Sequence, residues 1–273
     1  MRASVIISTY NQPQWLQHVL DGFSVQTVQD FEVVIADDGS DSDTRAVIDH
    51  MRDRAPYPIV HMWHEDHGFR KCAILNKAIL ASSTDYLIFT DGDCIPAPWF
   101  VERHLALRER GRFLSGGYVK LPMLVCHRIA QQHILHRQVT RPSWLRRMGV
   151  PSSTSLWKLR QSSLIGRIFD AITTTRPTWN GHNASTWKDY LLQAGGFDER
   201  MVYGGEDREL GERLENAGIR GKQVRYRVGC VHLDHTRGYV TDQGLDNNNA
   251  IRAHTRQSGG TVTEHSSIHP LRN

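Results

Sequence analysis

Two aspartates separated by one glycine, Asp91-Gly92-Asp93, directly follow the apolar run Tyr86–Thr90 in this 273-residue sequence. If that run is a strand, both carboxylates lie at its open end, where they can hold one hard divalent cation that keeps phosphate oxygens as further ligands. Aspartate and glycine also favour turns, so an exposed Asp-Gly turn without a ligand explains the same spacing. The motif alone leaves both interpretations open.

A second acidic motif, Gly204-Gly205-Glu206-Asp207, stands at the predicted start of a helix. Carboxylates in a first helical turn lie near the positive end of the helix dipole. One that faces a cleft can act as general base toward a hydroxyl. An ordinary acidic first turn is the competing interpretation, because acids are common at helix starts.

The third motif, Val231-His232-Leu233-Asp234-His235, holds two imidazoles three residues apart, a spacing that lets both bind one metal ion. Structural or solvated histidines are common, and the chain has 15 histidines in all. The pair therefore gains weight only beside other ligands. The four cysteines form no Cys-x-x-Cys pair, which excludes a zinc ribbon or redox motif and suits a thiol-reducing cytoplasm.

The elements that must position these residues alternate between strand and helix over the first 120 residues. The predicted strands are Ser4–Ser8, Phe31–Ala36, Ile59–Trp63, Tyr86–Thr90 and Phe113–Val119, and the predicted helices are Pro13–Phe23, Thr44–Met51 and Lys71–Ala81. Such alternation predicts a mainly parallel sheet with helices on both faces and ligands at the carboxyl ends of its strands. Ser8–Asn11, Asp37–Ser40 and Asp91–Asp93 follow three of these strands and are expected to converge on one edge.

The segment from Leu121 to Arg176 breaks this alternation and carries most of the positive charge. It has nine Lys and Arg residues and one acid, Asp170, which leaves 24 basic and 28 acidic residues in the rest of the chain. An acidic body with a basic insert argues against a general nucleic-acid binder, whose basic face is spread over the fold. We expect a mainly helical insert, with one amphipathic helix over Leu156–Phe169.

Two interpretations of the insert stay open: a solvated helical pair packed on the domain, or a surface that docks on anionic lipid or an anionic glycan. In the second case the expected apolar contacts are Trp144, Leu145, Trp157, Leu164, Ile165 and Phe169. No apolar run approaches the ~20 residues of a membrane span. We therefore expect a cytoplasmic protein, with peripheral contact at the inner face of the membrane in the docking case.

A second block begins at Trp179. It contains predicted helices over Thr186–Gln193 and Glu206–Asn216 and a predicted strand over Gln223–Val231. After Gly238 the periodicity is lost, which predicts a loop or a lid-like tail next to the histidine pair. With 39% hydrophobic residues, the chain has enough apolar material for a real core and is not a disordered protein.

The order of these motifs resembles glycosyltransferase family 2, whose members have the GT-A fold. The resemblance is carried by Val5–Asn11, Asp30–Ser40, Gly68–Ile79, Asp91-Gly92-Asp93 and, in a galactosyltransferase-like C-terminal segment, by Gly195–Glu199 and Gly205-Glu206-Asp207. It implies an α/β, Rossmann-like GT-A fold with a mixed, mainly parallel sheet flanked by helices and a helical basic insert. The implied division is residues 1–120 for the nucleotide sugar, 121–178 for the insert, 179–236 for acceptor and catalysis, and 237–273 for the tail.

The resemblance also implies a role for each matching residue. The positions that match donor contacts are Ser8, Tyr10, Asp38, Arg70, Asn76 and Asp91, and those that match acceptor contacts are Trp179, Gly181, Asn183 and Glu206. Asp207 matches the catalytic base. Asp93 matches a direct ligand of Mn²⁺ or Mg²⁺, and His232, His235 or both would complete that metal site.

The reaction implied is an inverting transfer of a hexose or N-acetylhexosamine from a UDP-sugar to a hydroxyl of a glycan or glycolipid acceptor. The family suggests bacterial lipopolysaccharide or another surface polysaccharide as the setting. Two alternatives remain: a nucleotidyltransferase, and a non-catalytic membrane- or glycan-binding module. The first normally needs a Gly-rich phosphate loop near the first strand, and Ser8-Thr9-Tyr10-Asn11 is not one. Intact Asp91, Asp93 and Asp207 argue against the second.

Overall fold

The computed structural model describes residues 1–235 and 241–269. Strands in these residues are β1 (Ala3–Thr9), β2 (Phe31–Asp37), β3 (Ile59–Trp63), β4 (Tyr86–Asp91), β5 (Cys94–Pro96), β6 (Arg112–Ser115), β7 (Gly117–Lys120), β8 (Ala184–Trp187), β9 (Arg220–Gln223) and β10 (Gly229–His232). Helices are α1 (Pro13–Ser24), α2 (Ser42–Arg52), α3 (Lys71–Ala81), α4 (Phe100–Leu107), α5 (Met123–Cys126), α6 (Gln131–Leu135), α7 (Pro142–Arg147), a 3-10 helix (Thr154–Leu159), α8 (Ser163–Ile172), α9 (Lys188–Gln193), α10 (Glu206–Asn216) and α11 (Asp242–Ser258).

The central sheet has seven strands in the order β3-β2-β1-β4-β8-β6-β9. β1 pairs in parallel with β2 and β4, whereas β8 runs antiparallel to β4 and β6, so the predicted mixed, mainly parallel sheet is confirmed. Because side chains alternate along a strand, Val5 and Ile7 join the hydrophobic cluster with α1, while Ile6 joins the one with α3. Helices therefore cover both faces.

Strand register brings the polar strand ends together. Thr9 pairs with Asp37, and Ser8 pairs with Asp91. The carboxyl ends of β1, β2 and β4 are therefore level, which confirms the expected convergence at one edge. A second sheet, in the order β5-β10-β7, places His232 opposite Cys94, next to Asp93.

Two of the predicted strands are each divided between the two sheets. The run predicted over Phe113–Val119 is β6 and β7, which separate at Gly116, where a Cβ atom would lie 2.1 Å from the Asn183 side chain. The run predicted over Gln223–Val231 is the end of β9 and the start of β10. The break at Gly116 is caused by the close approach of Asn183, a residue distant in the chain. The local sequence of the run does not indicate this contact.

Two predicted helices also need correction. Thr186–Gln193 begins as strand β8 and becomes helical only at Lys188, and Leu156–Phe169 is divided between the 3-10 helix and α8. The insert as a whole is helical, as predicted. Its inner residues Trp144 and Leu145 are buried in the same hydrophobic cluster as α1, so they are not available for the docking contacts expected of them.

The expected loop or mobile tail is largely wrong, because residues 242–258 form α11. The hydroxyl of Thr241 caps this helix, and Thr255 on it donates a hydrogen bond to the buried carboxylate of Glu209 on α10. The polar composition of this segment predicts no helix, because α11 has no apolar stripe and is attached to α10 by hydrogen bonds. Residues 236–240 and 270–273, which complete the predicted tail, lie outside the described residues.

None of the helices in the described part of the chain has the length and hydropathy of a membrane-spanning segment.

Candidate functional site

A cavity of about 750 Å³ opens at the carboxyl ends of β1, β2 and β4. Its walls are formed by Ser8, Thr9, Tyr10, Asn11, Gln12, Asp38, Gly68, Phe69, Lys71, Asp91, Gly92, Asp93, Tyr118, His182, Tyr203, Glu206, Asp207, His232 and His235. All three motifs singled out in the sequence thus meet in one space. Such a volume is that of a pocket for a small ligand.

Lys71 and Asp91 form an ion pair in the cavity wall. The Lys71 ammonium lies 3.0 Å from Asp91 Oδ1, and the Ser8 hydroxyl donates to the same oxygen at 2.6 Å. Burial alone would raise the pKa of Asp91, but the Lys71 charge and the Ser8 hydrogen bond lower it well below its ordinary value. Burial would likewise lower the pKa of Lys71, yet Asp91, Asp207 and Glu206 hold it well above 10.5. Both groups are therefore ionised at neutral pH.

The pKa of Asp207 is shifted in the opposite direction from that of Asp91. Burial, together with the charges of Glu206 and Asp91, raises its pKa from 3.8 to about 7, although Lys71 and the Gly181 backbone oppose the shift. Its Oδ1 atom is buried and has no hydrogen-bond partner among the described residues. A carboxylate with an unpaired oxygen and a pKa near neutrality is suited to accept a proton from a bound hydroxyl.

Three glycines help to fix the position of the Asp207 carboxylate. A Cβ atom at Gly181 would lie 2.7 Å from Asp207 Oδ1, so only glycine leaves the carboxylate in place. Gly204 and Gly205 before it have φ of +107° and +102°, a region that disfavours other residues. The Glu206 carboxylate accepts a hydrogen bond from the Gly204 amide at 2.8 Å, which fixes the turn.

Asn248 on α11 holds the same loop from behind. Its side-chain amide donates to the carbonyls of Val202 and Gly204, and its Oδ1 accepts from the Val202 amide. Asn248 is fully buried. The helix hidden in the predicted tail therefore supports the loop that carries Asp207.

Asp93, His232 and His235 form a cluster suited to a metal ion. His235 Nε2 lies 2.9 Å and His232 Nε2 3.6 Å from Asp93 Oδ2, and the two rings are nearly parallel. His232 Nδ1 lies 2.7 Å from the Leu233 carbonyl, so that nitrogen carries the proton and Nε2 keeps its lone pair toward the cluster. One carboxylate oxygen and two imidazole nitrogens converge, a donor set that fits a divalent cation.

Cys94 borders this cluster. Its sulfur, Asp93 and His232 offer atoms within 4.8 Å of one another. Burial raises the pKa of the Cys94 thiol well above 9, and the thiol donates to Asp93 Oδ1 at 3.3 Å. A protonated thiol orients the carboxylate and leaves the other oxygen for a metal.

Tyr10 and Asp38 also line the cavity. Asp38 accepts hydrogen bonds from His64 Nε2 at 2.8 Å and from the Arg70 backbone amide at 3.0 Å, which fix its carboxylate at the wall. Tyr10 is partly exposed, and its hydroxyl donates to Asp66. An aromatic ring beside an ordered carboxylate matches what a nucleoside needs for stacking and for hydrogen bonding.

Five predicted contact residues do not line this cavity. Gly181 lies against the Asp207 carboxylate instead, and the other four are two buried amides, Trp179 and Arg70. Both amide atoms of buried Asn76 are used by the backbone of Phe197 and by neighbouring side chains. Asn183, also fully buried, donates to the carbonyls of Gly117 and Val228. These two amides stabilise crossings of the chain, so their predicted ligand contacts are corrected.

Trp179 and Arg70 are the other two. Trp179 has 0% of its surface exposed and packs edge-on against Phe89 and Phe113, so it is a core residue and cannot stack on a sugar. The Arg70 side chain is exposed and absent from the cavity wall, where the next residue, Lys71, lies instead. Arg70 precedes α3, and Lys71, the first residue of the helix, is the basic residue that faces the strand ends.

Several cavity residues had no role in the sequence prediction. Burial lowers the pKa of His182 to about 4, so this imidazole beside Asp91 is neutral, and its ring packs on Tyr118 at 4.5 Å. Phe69 and Tyr203 form an edge-on aromatic pair at 6.1 Å. His182 lies between Gly181 and Asn183 in the predicted acceptor segment, so position could have suggested it, but only packing shows which side chains of that segment face the cavity.

Comparisons with known proteins identify glycosyltransferases as relatives. Residues 4–121 match the Glycosyl transferase family 2 profile. Validoxylamine A glucosyltransferase of Streptomyces hygroscopicus subsp. jinggangensis is 30% identical over 230 residues, which cover 79% of this chain and 52% of that protein. The chain thus spans about half the length of this curated relative.

Solved structures share the fold. The Staphylococcus aureus TarS 1-349 structure in complex with UDP-GlcNAc superposes with a TM-score of 0.63 at 16% identity, covering 93% of this chain and 66% of that one. The mannosyltransferase PcManGT of Pyrobaculum calidifontis, in complex with GDP-Man and Mn²⁺, gives 0.58 at 20% identity over 87% of this chain and 58% of that one. Residues 4–121 therefore carry a glycosyltransferase family 2 domain, and the chain as described has the GT-A fold.

Proposed function

We propose that this protein is an inverting glycosyltransferase that moves a hexose or N-acetylhexosamine from a UDP-sugar to a hydroxyl of a glycan acceptor. The observation that carries the proposal is Asp207, a cavity carboxylate with a pKa near 7 and an unpartnered oxygen, beside a cluster suited to a divalent cation. Asp207 takes the proton of the acceptor hydroxyl as its oxygen bonds to the anomeric carbon. The bond from that carbon to the UDP oxygen breaks on the opposite face, which inverts the configuration.

Positive charge is needed where the diphosphate leaves. We assign Asp93, His232 and His235 as the residues that hold Mn²⁺ or Mg²⁺, with Mn²⁺ favoured because two of the three donors are imidazole nitrogens and Mg²⁺ prefers oxygen. A bound cation of this kind neutralises the charge that develops on a departing phosphate. Lys71 keeps Asp91 ionised and adds a fixed positive charge to the same wall.

The donor base and ribose occupy the side of the cavity with Ser8, Tyr10, Asp38 and Asp91 in this proposal. Their support is position: the four side chains lie at the ends of β1, β2 and β4 and line one wall. On the acceptor side we retain Glu206, next to the base, and Gly181, whose lack of a side chain leaves room for the Asp207 carboxylate. His182 and Tyr118 extend this side and replace Trp179 and Asn183 as candidate sugar contacts.

The setting we propose is the synthesis of bacterial lipopolysaccharide or another surface polysaccharide. Two comparisons support sugar transfer from a nucleotide sugar in general: one relative is a glucosyltransferase, and one structural neighbour binds UDP-GlcNAc. Residues 1–120 and 179–236 supply the two halves of the cavity wall, in keeping with the proposed division into donor and acceptor halves.

The test is a panel of UDP-sugars incubated with the protein and Mn²⁺, with UDP release measured in the absence of any acceptor. We expect one UDP-sugar to be hydrolysed slowly, and Asp207→Asn to lower that rate at least a hundredfold while UDP still binds. The matched control is Asp198→Asn, a buried aspartate outside the cavity, which should keep the rate. Gly181→Ala should mimic the loss at Asp207, because its Cβ displaces the carboxylate.

Two results would refute the proposal. If Asp207→Asn hydrolyses the UDP-sugar at the wild-type rate, Asp207 is not the base. If nucleoside triphosphates release diphosphate and no UDP-sugar reacts, the protein is a nucleotidyltransferase.

A further inference from the structure

Helix α8 in the basic insert is oriented with its apolar side toward solvent. Leu164, Ile168 and Ile172 are 69%, 53% and 66% exposed. They are spaced four residues apart, so they form one stripe about 12 Å long on the outer face. A surface helix of a globular protein normally buries such a stripe against the core.

The opposite side of α8 explains this orientation. Gly166 approaches the backbone so closely that a Cβ there would lie 2.5 Å from the Tyr226 carbonyl oxygen. Asp170 accepts hydrogen bonds from the Tyr226 amide at 2.8 Å and from Arg227 Nε at 2.7 Å. The glycine contact, the buried ion pair and the Phe169 ring, which packs on Tyr226 at 5.3 Å, attach this side of the helix to the body, and this leaves Leu164, Ile168 and Ile172 outside.

The charges around the stripe are positive. Arg160, Arg167 and Arg176 are exposed, and Arg160 is held over the Trp157 ring at 3.7 Å. The single acid between Leu121 and Arg176 is Asp170, whose carboxylate is engaged with Arg227 on the inner face. The outer face of α8 thus presents apolar side chains flanked by arginines, with no acidic side chain of its own segment.

We propose that α8 docks the protein on the surface of an anionic phospholipid membrane. Leu164, Ile168 and Ile172 enter the boundary between headgroups and acyl chains, and the flanking arginines contact lipid phosphates. The occupant is a lipid surface rather than an anionic glycan, because a glycan would pair with the arginines and leave the apolar stripe in water. This replaces the expected contacts through Trp144 and Leu145, which are buried.

The insert also contacts the cavity wall. Six residues before Leu164, the Lys158 ammonium donates to the carbonyl of Tyr118, and Tyr118 lines the cavity. The insert therefore connects the exposed stripe to the acceptor side of the site through a few residues. The docking proposal does not depend on the transfer reaction, since binding is measured without donor or acceptor.

The experiment is co-sedimentation of the full chain with vesicles of phosphatidylcholine alone and of phosphatidylcholine with phosphatidylglycerol. We expect binding to the anionic vesicles that weakens with salt. Leu164→Gln with Ile168→Gln should lower the partition coefficient at least tenfold, because glutamine retains helix propensity and removes the apolar contact. Replacing Arg160 and Arg167 with glutamine should weaken binding about fivefold for each charge.

The matched control is Leu80→Gln with Val262→Gln, two apolar residues that are 51% and 45% exposed outside the insert. This variant should bind as the wild type does. Equal circular dichroism spectra and urea midpoints establish that the stripe variant is folded. If the stripe variant is not folded, the test uses Ile168→Cys labelled with an environment-sensitive dye. The four native cysteines are buried, so the label is confined to position 168. The dye emission should shift to the blue on anionic vesicles.

Three results would overturn the proposal. The wild type does not sediment with anionic vesicles, the stripe variant sediments as well as the control, or the dye at position 168 reports no change. A dimer that dissociates in the stripe variant, with no vesicle binding by the wild type, would assign the stripe to a second copy of the chain instead.

Discussion

Asp207→Asn is expected to stabilise the folded protein while it abolishes turnover, and the gain should depend on pH. Burial raises the pKa of Asp207 from 3.8 to about 7, so the folded state holds this proton more tightly than the unfolded state does. Stability from the protonated carboxyl is therefore fully present below the unfolded pKa and is lost as pH rises through about 7. Asparagine has nearly the same shape and no proton to lose.

The size of the effect follows from the pKa difference. At pH well above 7 the ionised Asp207 destabilises the fold by about 4 kcal/mol, as an upper value, since a pKa unit corresponds to about 1.4 kcal/mol. At pH 5 the same linkage gives about 1.7 kcal/mol, because the folded carboxyl is mostly protonated and the unfolded one is mostly ionised. The advantage of the Asn variant should therefore grow by about 2.5 kcal/mol from pH 5 to pH 7.5.

The assay is urea unfolding of both proteins at pH 5, 6 and 7.5 in metal-free buffer, with midpoint and slope fitted together. Asp198→Asn is the contrasting control. Although burial raises its pKa, hydrogen bonds from Arg200 and Thr263 lower it overall, so this variant should be destabilised at neutral pH. A stability difference for Asp207→Asn that is constant with pH, or that shrinks toward pH 7.5, would refute the electrostatic account of the base.

Further predictions concern turnover. In wild type at fixed Mn²⁺, kcat/KM for UDP release should rise tenfold per pH unit up to a midpoint near 7, because the base must be ionised; a flat profile from pH 5 to 8 contradicts this. Lys71→Met should move the midpoint upward, since Lys71 lowers the pKa of Asp207, and a downward movement in the same titration would show that the sign is wrong. EDTA should abolish UDP release and Mn²⁺ restore it, while Asp93→Asn should need at least tenfold more Mn²⁺; full activity in chelator excludes the metal. Asn248→Asp removes the donor of two buried carbonyls, so it should destabilise the fold by about 2 kcal/mol. It should also lower kcat at least tenfold and leave the KM for the donor little changed. An unchanged kcat would mean that Asn248 does not position the Asp207 loop.

Alternating apolar residues and short polar connections were sufficient to predict the central sheet. β1, β2 and β4 are runs of buried β-branched and aromatic residues, and each ends in polar residues. Parallel strands bring such ends to one edge whatever the rest of the chain does. Nine of the fourteen predicted site residues therefore line the cavity, because strand ends and helix starts are local features.

The misplaced residues failed for a different reason. Asn76, Trp179 and Asn183 belong to family motifs but are fully buried, and their partners lie more than 40 residues away along the chain in most of their contacts. A polar or aromatic residue in a motif can serve a ligand or the fold. Its local sequence is the same in both cases, so only the surrounding contacts distinguish them.

The amino-acid sequence by itself determined the sheet, the edge at which its polar residues meet, and the identity of the acids and histidines gathered there. Tertiary structure alone decided that Asp207 has a pKa near neutrality, since that shift comes from burial and from the negative charges of Glu206 and of Asp91 on β4. It also decided that α11 holds the loop before Asp207 and that α8 faces its apolar stripe outward. The spacing of apolar residues depends only on the element that contains them. Burial, the charges around a side chain and the direction that a helix face takes depend on segments distant in the chain.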